Sequence, residues 1–159
     1  MTELPPVSLY LTEHDIAHRL FRHSGPVHSL AQAAAERGQQ PDQIVRSILF
    51  RVTVAEYVMV LIAGERQVSW RALRGYLGQS RLSMASQEEV LRVTGYQRGA
   101  VAPFGLPGPL RILVDNSVFA FAEVSIGSGV RGTTVIIRSE DLRRALPQAE
   151  MGDFADGEA

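Results

Sequence analysis

Two apolar runs constrain the fold of this chain most. Ile44 to Val54 and Tyr57 to Ala63 are rich in β-branched and aromatic residues, and only Ala55 and Glu56 separate them. They therefore predict a hairpin of two strands at the centre of a sheet. Local signals place the elements around it. Thr12 with Asp15 three residues on opens a segment in which Ile16, Leu20 and Phe21 share a helical face, which predicts a first helix ending near His23 to Gly25. A short extended piece through Val27 and His28 leads to Ser29, an N-cap for the alanine-rich run Leu30 to Arg37, and Gly38 supplies a left-handed stop. Ser69 starts a helix through Leu77, Arg81 to Met84 reads as a short strand, and Ser86 with Glu89 forms a capping box for a helix closed by Gly95. Arg111 to Val114, Phe119 to Ile126 and Thr133 to Arg138 read as strands, and Ser139 with Glu140 and Asp141 begins a last helix that ends before Pro147.

A chain of 159 residues with this pattern is expected to form a single domain, here residues 1–147. The remainder, 148–159, holds Glu150, Asp153, Asp156 and Glu158 among small residues and is expected to be a disordered acidic tail. All 16 basic residues are arginines and precede position 145, where they face 13 acids, so the body is mildly basic. That surplus is too small to announce a nucleic-acid binder. DNA is not an expected partner, and any RNA contact should be local and weak. With no cysteine there is no disulfide framework, thiolate nucleophile or zinc ribbon, and with no lysine there is no Schiff base. Met1 to Pro6 lacks the basic region and apolar run of a secretory signal, and the longest apolar stretch, Tyr57 to Ala63, is too short to span a bilayer. The expectation is a cytoplasmic protein without membrane contact.

Several motifs have bland explanations. Gly127, Gly129 and Gly132 match the letters of a dinucleotide fingerprint, but Thr133 to Ile137 are strand formers where that fingerprint needs a helix. A glycine-rich turn between strands fits better. His14 and His18 are four apart yet have no cysteine and no HExxH pattern beside them, so they read as surface histidines; neither a metal nor a cofactor is expected. No serine sits in a GxSxG elbow. Two features stay open between structure and function. Gly95 to Pro109 carries four glycines and three prolines, and its segment Gly99, Ala100, Val101, Ala102, Pro103, Phe104, Gly105 can be a defined turn or a backbone approach to a ligand. Arg46 lies inside an apolar strand, on the alternating face of Ile44, Ile48 and Phe50, where a charge must meet solvent, a partner or a ligand.

The order of these pieces resembles the YbaK family of prolyl-tRNA synthetase-associated editing domains, which are aminoacyl-tRNA deacylases. The resemblance runs from His28 with Ala33 and Ala34, through the strand Ile44 to Phe50, Gly64 to Leu73 and the helix Glu88 to Thr94. It continues through the step Thr94, Gly95, Tyr96, the GxxxP loop Gly99 to Pro103 with Phe104 and Gly105, Asp115, and the glycine turn before Thr133. It implies a single-domain α/β (α+β) fold: a mixed, barrel-like β-sheet flanked by helices, with a small pocket for an aminoacyl-adenosine.

The resemblance also implies an activity: a free-standing enzyme that hydrolyses the ester of mischarged tRNA in trans, with alanine or cysteine on proline tRNA as family-level candidates. Such a second sieve has a physical basis, since one methylene gives a synthetase only about 1 to 3 kcal/mol of discrimination. The implied partners are the acceptor end of aminoacyl-tRNA, bound weakly, and prolyl-tRNA synthetase. Carried over residue by residue, Arg46, Gly99 and Asp115 are the catalytic candidates. His28, Ala100, Val101, Ala102, Pro103, Phe104, Ser125, Gly127, Ser128 and Gly129 are the substrate-binding candidates, and either Ser125 or Ser128 lines the pocket. Arg46 is expected to point into that pocket, its charge offset by Asp115 or by the phosphate of the terminal adenosine. Where this chain has Arg46 the family commonly has lysine, and the two are not interchangeable. The alternative reading is therefore a non-catalytic module that binds aminoacyl-adenosine or tRNA, or associates with a synthetase.

Overall fold

The computed structural model describes residues 4–156. Helix α1 (Pro6–Glu13) is followed by β1 (Arg19–Arg22), α2 (Leu30–Arg37), the hairpin β2 (Val45–Arg51) and β3 (Tyr57–Ala63), and α3 (Trp70–Leu77). Then come β4 (Ser83–Met84), α4 (Gln87–Thr94), β5 (Arg111–Asp115), β6 (Glu123–Gly127), β7 (Thr133–Arg138), α5 (Ser139–Ala145) and β8 (Glu150–Gly152). The local signals act as expected in three helices. Ser29, Ser69 and Ser86 each accept a backbone N–H of the first turn, and Gly38, Gly78 and Gly95 end α2, α3 and α4 in the left-handed region. Among the described residues no helix is long and apolar enough to cross a membrane.

The strands form two sheets. One has the order β4-β2-β3-β5-β8, with β2 antiparallel to β3 and β4, and with β5 parallel to both β3 and β8. The other is the antiparallel set β1-β7-β6. A bridge between Ile44 and Ser125 joins them, and they do not close into a barrel. Alternation assigns the core. Val45, Leu49, Met59, Leu61 and Val114 cluster with Val124, Ile126, Val135 and Ile137 of the second sheet, whereas Phe50, Val58, Val60, Ile62 and Leu113 cluster with Leu73 of α3 and with Phe154. Strand β3 is thus buried on both faces, which is why it reads as an unbroken apolar run.

Two sequence expectations are corrected. No helix runs from Thr12 to His23: α1 lies earlier, started by Pro5 and Pro6 and ending at Glu13, and the chain turns through Asp15 at a φ of 58° before β1 pairs with Thr133–Ile136 of β7. A capping-like spacing was outweighed by pairing with a strand far along the chain, and the prolines were the better start signal. Nor are residues 148–156 a disordered tail, although 157–159 lie outside the described residues. Strand β8 extends the large sheet, and Phe154 is only 1% exposed, with its ring 5.1 Å from that of Tyr76. Oδ1 of Asp115 accepts the backbone N–H of Phe154 at 2.7 Å and of Ala155 at 3.0 Å. Arg111 holds both carboxylate oxygens of Glu150, at 2.8 and 2.9 Å. Two of the acids that suggested solvation are partnered, Glu150 by Arg111 and Asp153 by the Asn116 amide at 2.8 Å, and one aromatic ring anchors the segment.

A chain ending at Gln148 is therefore expected to lose the burial of Phe154, worth roughly 3 to 5 kcal/mol on the scale of aromatic truncations. At a few degrees per kcal/mol, its melting temperature should fall by on the order of ten degrees, as should that of Phe154→Ala. Hydrogen bonds from Arg111 and then Tyr76 hold Glu150 at about 2, below its ordinary 4.5. Its contribution is complete above the ordinary value and disappears as pH falls towards 2. Urea midpoints measured down that range should fall less steeply for Glu150→Gln than for wild type; equal slopes would show that the ion pair contributes nothing.

Candidate active site

The chain between α4 and β5 is fixed by close approach to the β6–β7 turn. A Cβ on Gly127 would lie 2.3 Å from the carbonyl oxygen of Val101 and 2.9 Å from that of Ala100, so only glycine admits the loop there. The backbone N–H of Gly129 donates to the Ala100 carbonyl at 3.0 Å, and the Tyr96 hydroxyl donates to the Phe104 carbonyl. Ala100, Ala102, Pro103 and Phe104 are buried and anchor the loop. Gly99 is exposed with a φ of 89°, and Val101 is half-buried.

Two cavities meet at Gly99. The smaller, of about 170 Å³, is lined mainly by apolar groups, among them Leu49, Ala85, Val90 and Val101, with Ser47 and Arg98. The Ser47 hydroxyl is buried and has no hydrogen-bond partner among the described residues. The larger, of about 480 Å³, is bordered by His23, Pro26, Val27, Arg37, Gly127 and Arg131, and continues to Thr133 and Thr134. In its wall, Arg37 donates from Nη1 to the hydroxyl of the buried Ser125 at 2.8 Å and from Nε to Nε2 of His23 at 3.1 Å. Because that nitrogen accepts, the His23 proton sits on Nδ1, which faces Oε1 of Glu36 at 2.5 Å. Burial pulls the Arg37 guanidinium below its ordinary range, and the Glu36 charge opposes this. Arg131 donates from Nε to the Arg98 carbonyl at 3.0 Å.

The structure brings Gly99, Val101, Ser125, Gly127 and Gly129 together, with Ala100, Ala102, Pro103 and Phe104 as the buried underside of the loop. Neither serine lines either cavity: Ser128 is buried inside the turn, where its hydroxyl reaches the carbonyls of Val130 and Thr133, and the buried Ser125 touches the larger cavity only through Arg37. His28 is exposed and borders neither cavity; its backbone N–H is taken by Gln32. The expected pairing of Arg46 with Asp115 is absent. Arg46 donates from Nε to the Gly64 carbonyl at 2.7 Å and from Nη2 to the Arg66 carbonyl, and borders neither cavity. Its strand face is that of Phe50, whereas the loop packs with Val45 and Leu49. Asp115 is buried, with Oδ2 accepting the Ser117 N–H at 3.0 Å and Oδ1 held by Phe154 and Ala155. Backbone carbonyls offset the cation, and backbone amides offset the carboxylate.

Sequence reasoning missed Arg37, Arg131 and His23. Arg37 occupies the last turn of α2, where a cation suits the helix dipole and draws no notice. His14 and His18 do not share a helix: His14 caps α1 and stacks on Tyr10, and His18 bonds Ser8. Among the described residues no cluster of histidines and carboxylates could hold a metal ion.

Set beside known proteins, residues 24–145 match the family model described as the aminoacyl-tRNA editing domain, and the chain belongs to that family. It is 29% identical over 119 residues to a proline–tRNA ligase of Aquifex aeolicus, covering 75% of this chain and 19% of the ligase. Against a proline–tRNA ligase of Staphylococcus aureus it is 27% identical over 143 residues, 89% of this chain and 24% of the ligase. The chain thus spans a quarter or less of these relatives. A solved structure described as a proposed trans-editing enzyme for prolyl tRNA synthetase superposes with a TM-score of 0.85 at 24% identity, over 96% of each chain, and so shares the fold.

Gly127→Ala is expected to push the loop off the turn and to cost about 1 to 3 kcal/mol, the scale of overpacking. Thermal unfolding measures this, and an unchanged midpoint would mean that the loop has room to yield.

Proposed function

We propose that the chain is a deacylase that hydrolyses the ester joining a wrongly attached amino acid to tRNA, with alanine or cysteine on proline tRNA as the first candidates. The observation that carries this reading is the meeting of two unlike cavities at Gly99. The small, mostly apolar one suits a short amino-acid side chain, and the larger, more polar one suits the terminal nucleoside, so the ester between them lies against the loop. The small volume supplies the sieve, because each methylene that does not fit is worth about 1 to 3 kcal/mol.

An aminoacyl ester is already activated, which suits a chain with no cysteine and no lysine. Water attacks the ester carbonyl, the C–O bond to the ribose breaks, and the proton passes to the leaving 3′ oxygen, giving free amino acid and uncharged tRNA. The protein's share is positioning and stabilisation of the developing oxyanion. The Gly99 N–H is available for the oxyanion, since it has no acceptor among the described residues. Ser125, held by Arg37, lies beside the larger cavity.

A second reading, a module that binds aminoacyl-adenosine without turnover, is favoured by Arg46. Where the family commonly carries lysine, this guanidinium is engaged on the Gly64 and Arg66 carbonyls. A panel of mischarged tRNAs separates the two. Release of a small amino acid, with correctly charged tRNA spared, supports the deacylase; saturable binding without release supports the module. Gly99→Val should lower turnover at least about a hundredfold, the scale of losing one oxyanion donor, with the fold retained. Full activity in that variant would remove Gly99 from the site.

A further inference from the structure

The larger cavity is unusual in its charge. Its lining among the described residues includes two arginines, Arg37 and Arg131, and no aspartate or glutamate. No carboxylate forms an ion pair with either arginine among the described residues. A guanidinium carries five N–H donors. Arg37 commits only Nε and Nη1, to the neutral acceptors of His23 and Ser125, and Arg131 commits only Nε, to a carbonyl.

Arg37 is also held in place. The His23 side chain against it is 3% exposed and is clamped from the other side by Glu36, while Ser125 is fully buried. Glu36 belongs to the helix turn that carries Arg37, and Gln32, one turn earlier, donates to its second oxygen at 2.9 Å. A buried imidazole, a buried hydroxyl and an outer carboxylate thus aim one cation whose remaining donors meet no acceptor among the described residues. That is a costly way to place a charge unless an anion completes it.

From this charge balance we infer that Arg37, with Arg131 of the same cavity lining, forms a subsite for the phosphodiester on the 5′ side of the terminal adenosine, with His23 and Glu36 as positioning residues for Arg37. The assignment rests on the deacylase reading for the identity of the nucleotide, and on the cavity itself for the anion. A planar guanidinium binds phosphate through two parallel N–H···O bonds, and a second arginine takes the remaining charge. Gly99 and Gly127 add no side chain that would crowd the phosphate. The phosphate would then fix the ribose, and through it the ester, against the loop.

The test compares two non-hydrolysable analogues, 3′-alanylamino-3′-deoxyadenosine with and without a 5′-phosphate methyl ester, titrated against the intact protein. Wild type should bind the phosphorylated analogue about tenfold or more tightly. Arg37→Gln should reduce that preference to within about twofold, Arg37→Lys should keep part of it, and Arg131→Gln should lower it, each variant being checked by its melting curve. Equal affinities on wild type would overturn the inference, and that comparison needs no variant. A preference that survives Arg37→Gln in a folded protein would overturn it as well. Should neither analogue bind, dimethyl phosphate is titrated by NMR. Shifts at Arg37 and Arg131 that vanish in Arg37→Gln would keep the anion subsite and abandon the deacylase reading, and no shifts would overturn the subsite too.

Discussion

The loop from Gly99 to Phe104 has its place because position 127 has no side chain. With the Val101 carbonyl 2.3 Å from where a Cβ would stand, the loop can settle on the end of β6 only over glycine, and the Gly129 amide then ties down the Ala100 carbonyl. That contact brings the loop against the strands that carry Val45, Leu49 and Ser125, and leaves Gly99 as the divide between two cavities. Burial of Ala100, Ala102, Pro103 and Phe104 reinforces the placement through apolar packing. A backbone held so firmly is pre-organised, which is what the proposed hydrolysis without a protein nucleophile would require.

Charge follows a pattern that composition hides. The chain has only arginine as a strong cation, and three of its arginines meet three different kinds of partner. Arg111 meets a carboxylate and closes the large sheet through β8. Arg46 meets two carbonyls at the end of β3. Arg37 meets an imidazole and a hydroxyl and has no direct ion pair among the described residues, with the Glu36 carboxylate acting on it from behind His23. Near-neutral totals therefore coexist with a cavity whose described lining holds two arginines and no carboxylate, and such local balance is what an anion would sense.

Legibility from the sequence tracked the distance over which each signal acts. The hairpin of β2 and β3, the serine caps of α2, α3 and α4, and their glycine stops could be read because propensity, capping and turn chemistry are settled within a few residues. Strand β1 could not, since its pairing with β7 overrode the spacing of Ile16, Leu20 and Phe21. Phe154 could not, since the amide contacts that fix its neighbourhood come from Asp115 on another strand. Arg46 stands out in the sequence as a charge inside an apolar strand, but its carbonyl partners follow β3 in the chain and are invisible to alternation on β2. Arg37 gave no signal, because a cation in the last turn of a helix is ordinary.

The division of the site at Gly99 is tested most directly by a crystal structure of the protein with a non-hydrolysable 3′-alanyl-adenosine analogue. The expected result places the alanyl methyl in the small cavity beside Leu49 and Val101, the scissile linkage against Gly99, and the ribose and base in the larger cavity towards Arg37 and Arg131. An analogue bound elsewhere, for example in the cleft between Pro109 and Glu150, or with its linkage remote from Gly99, would contradict that division.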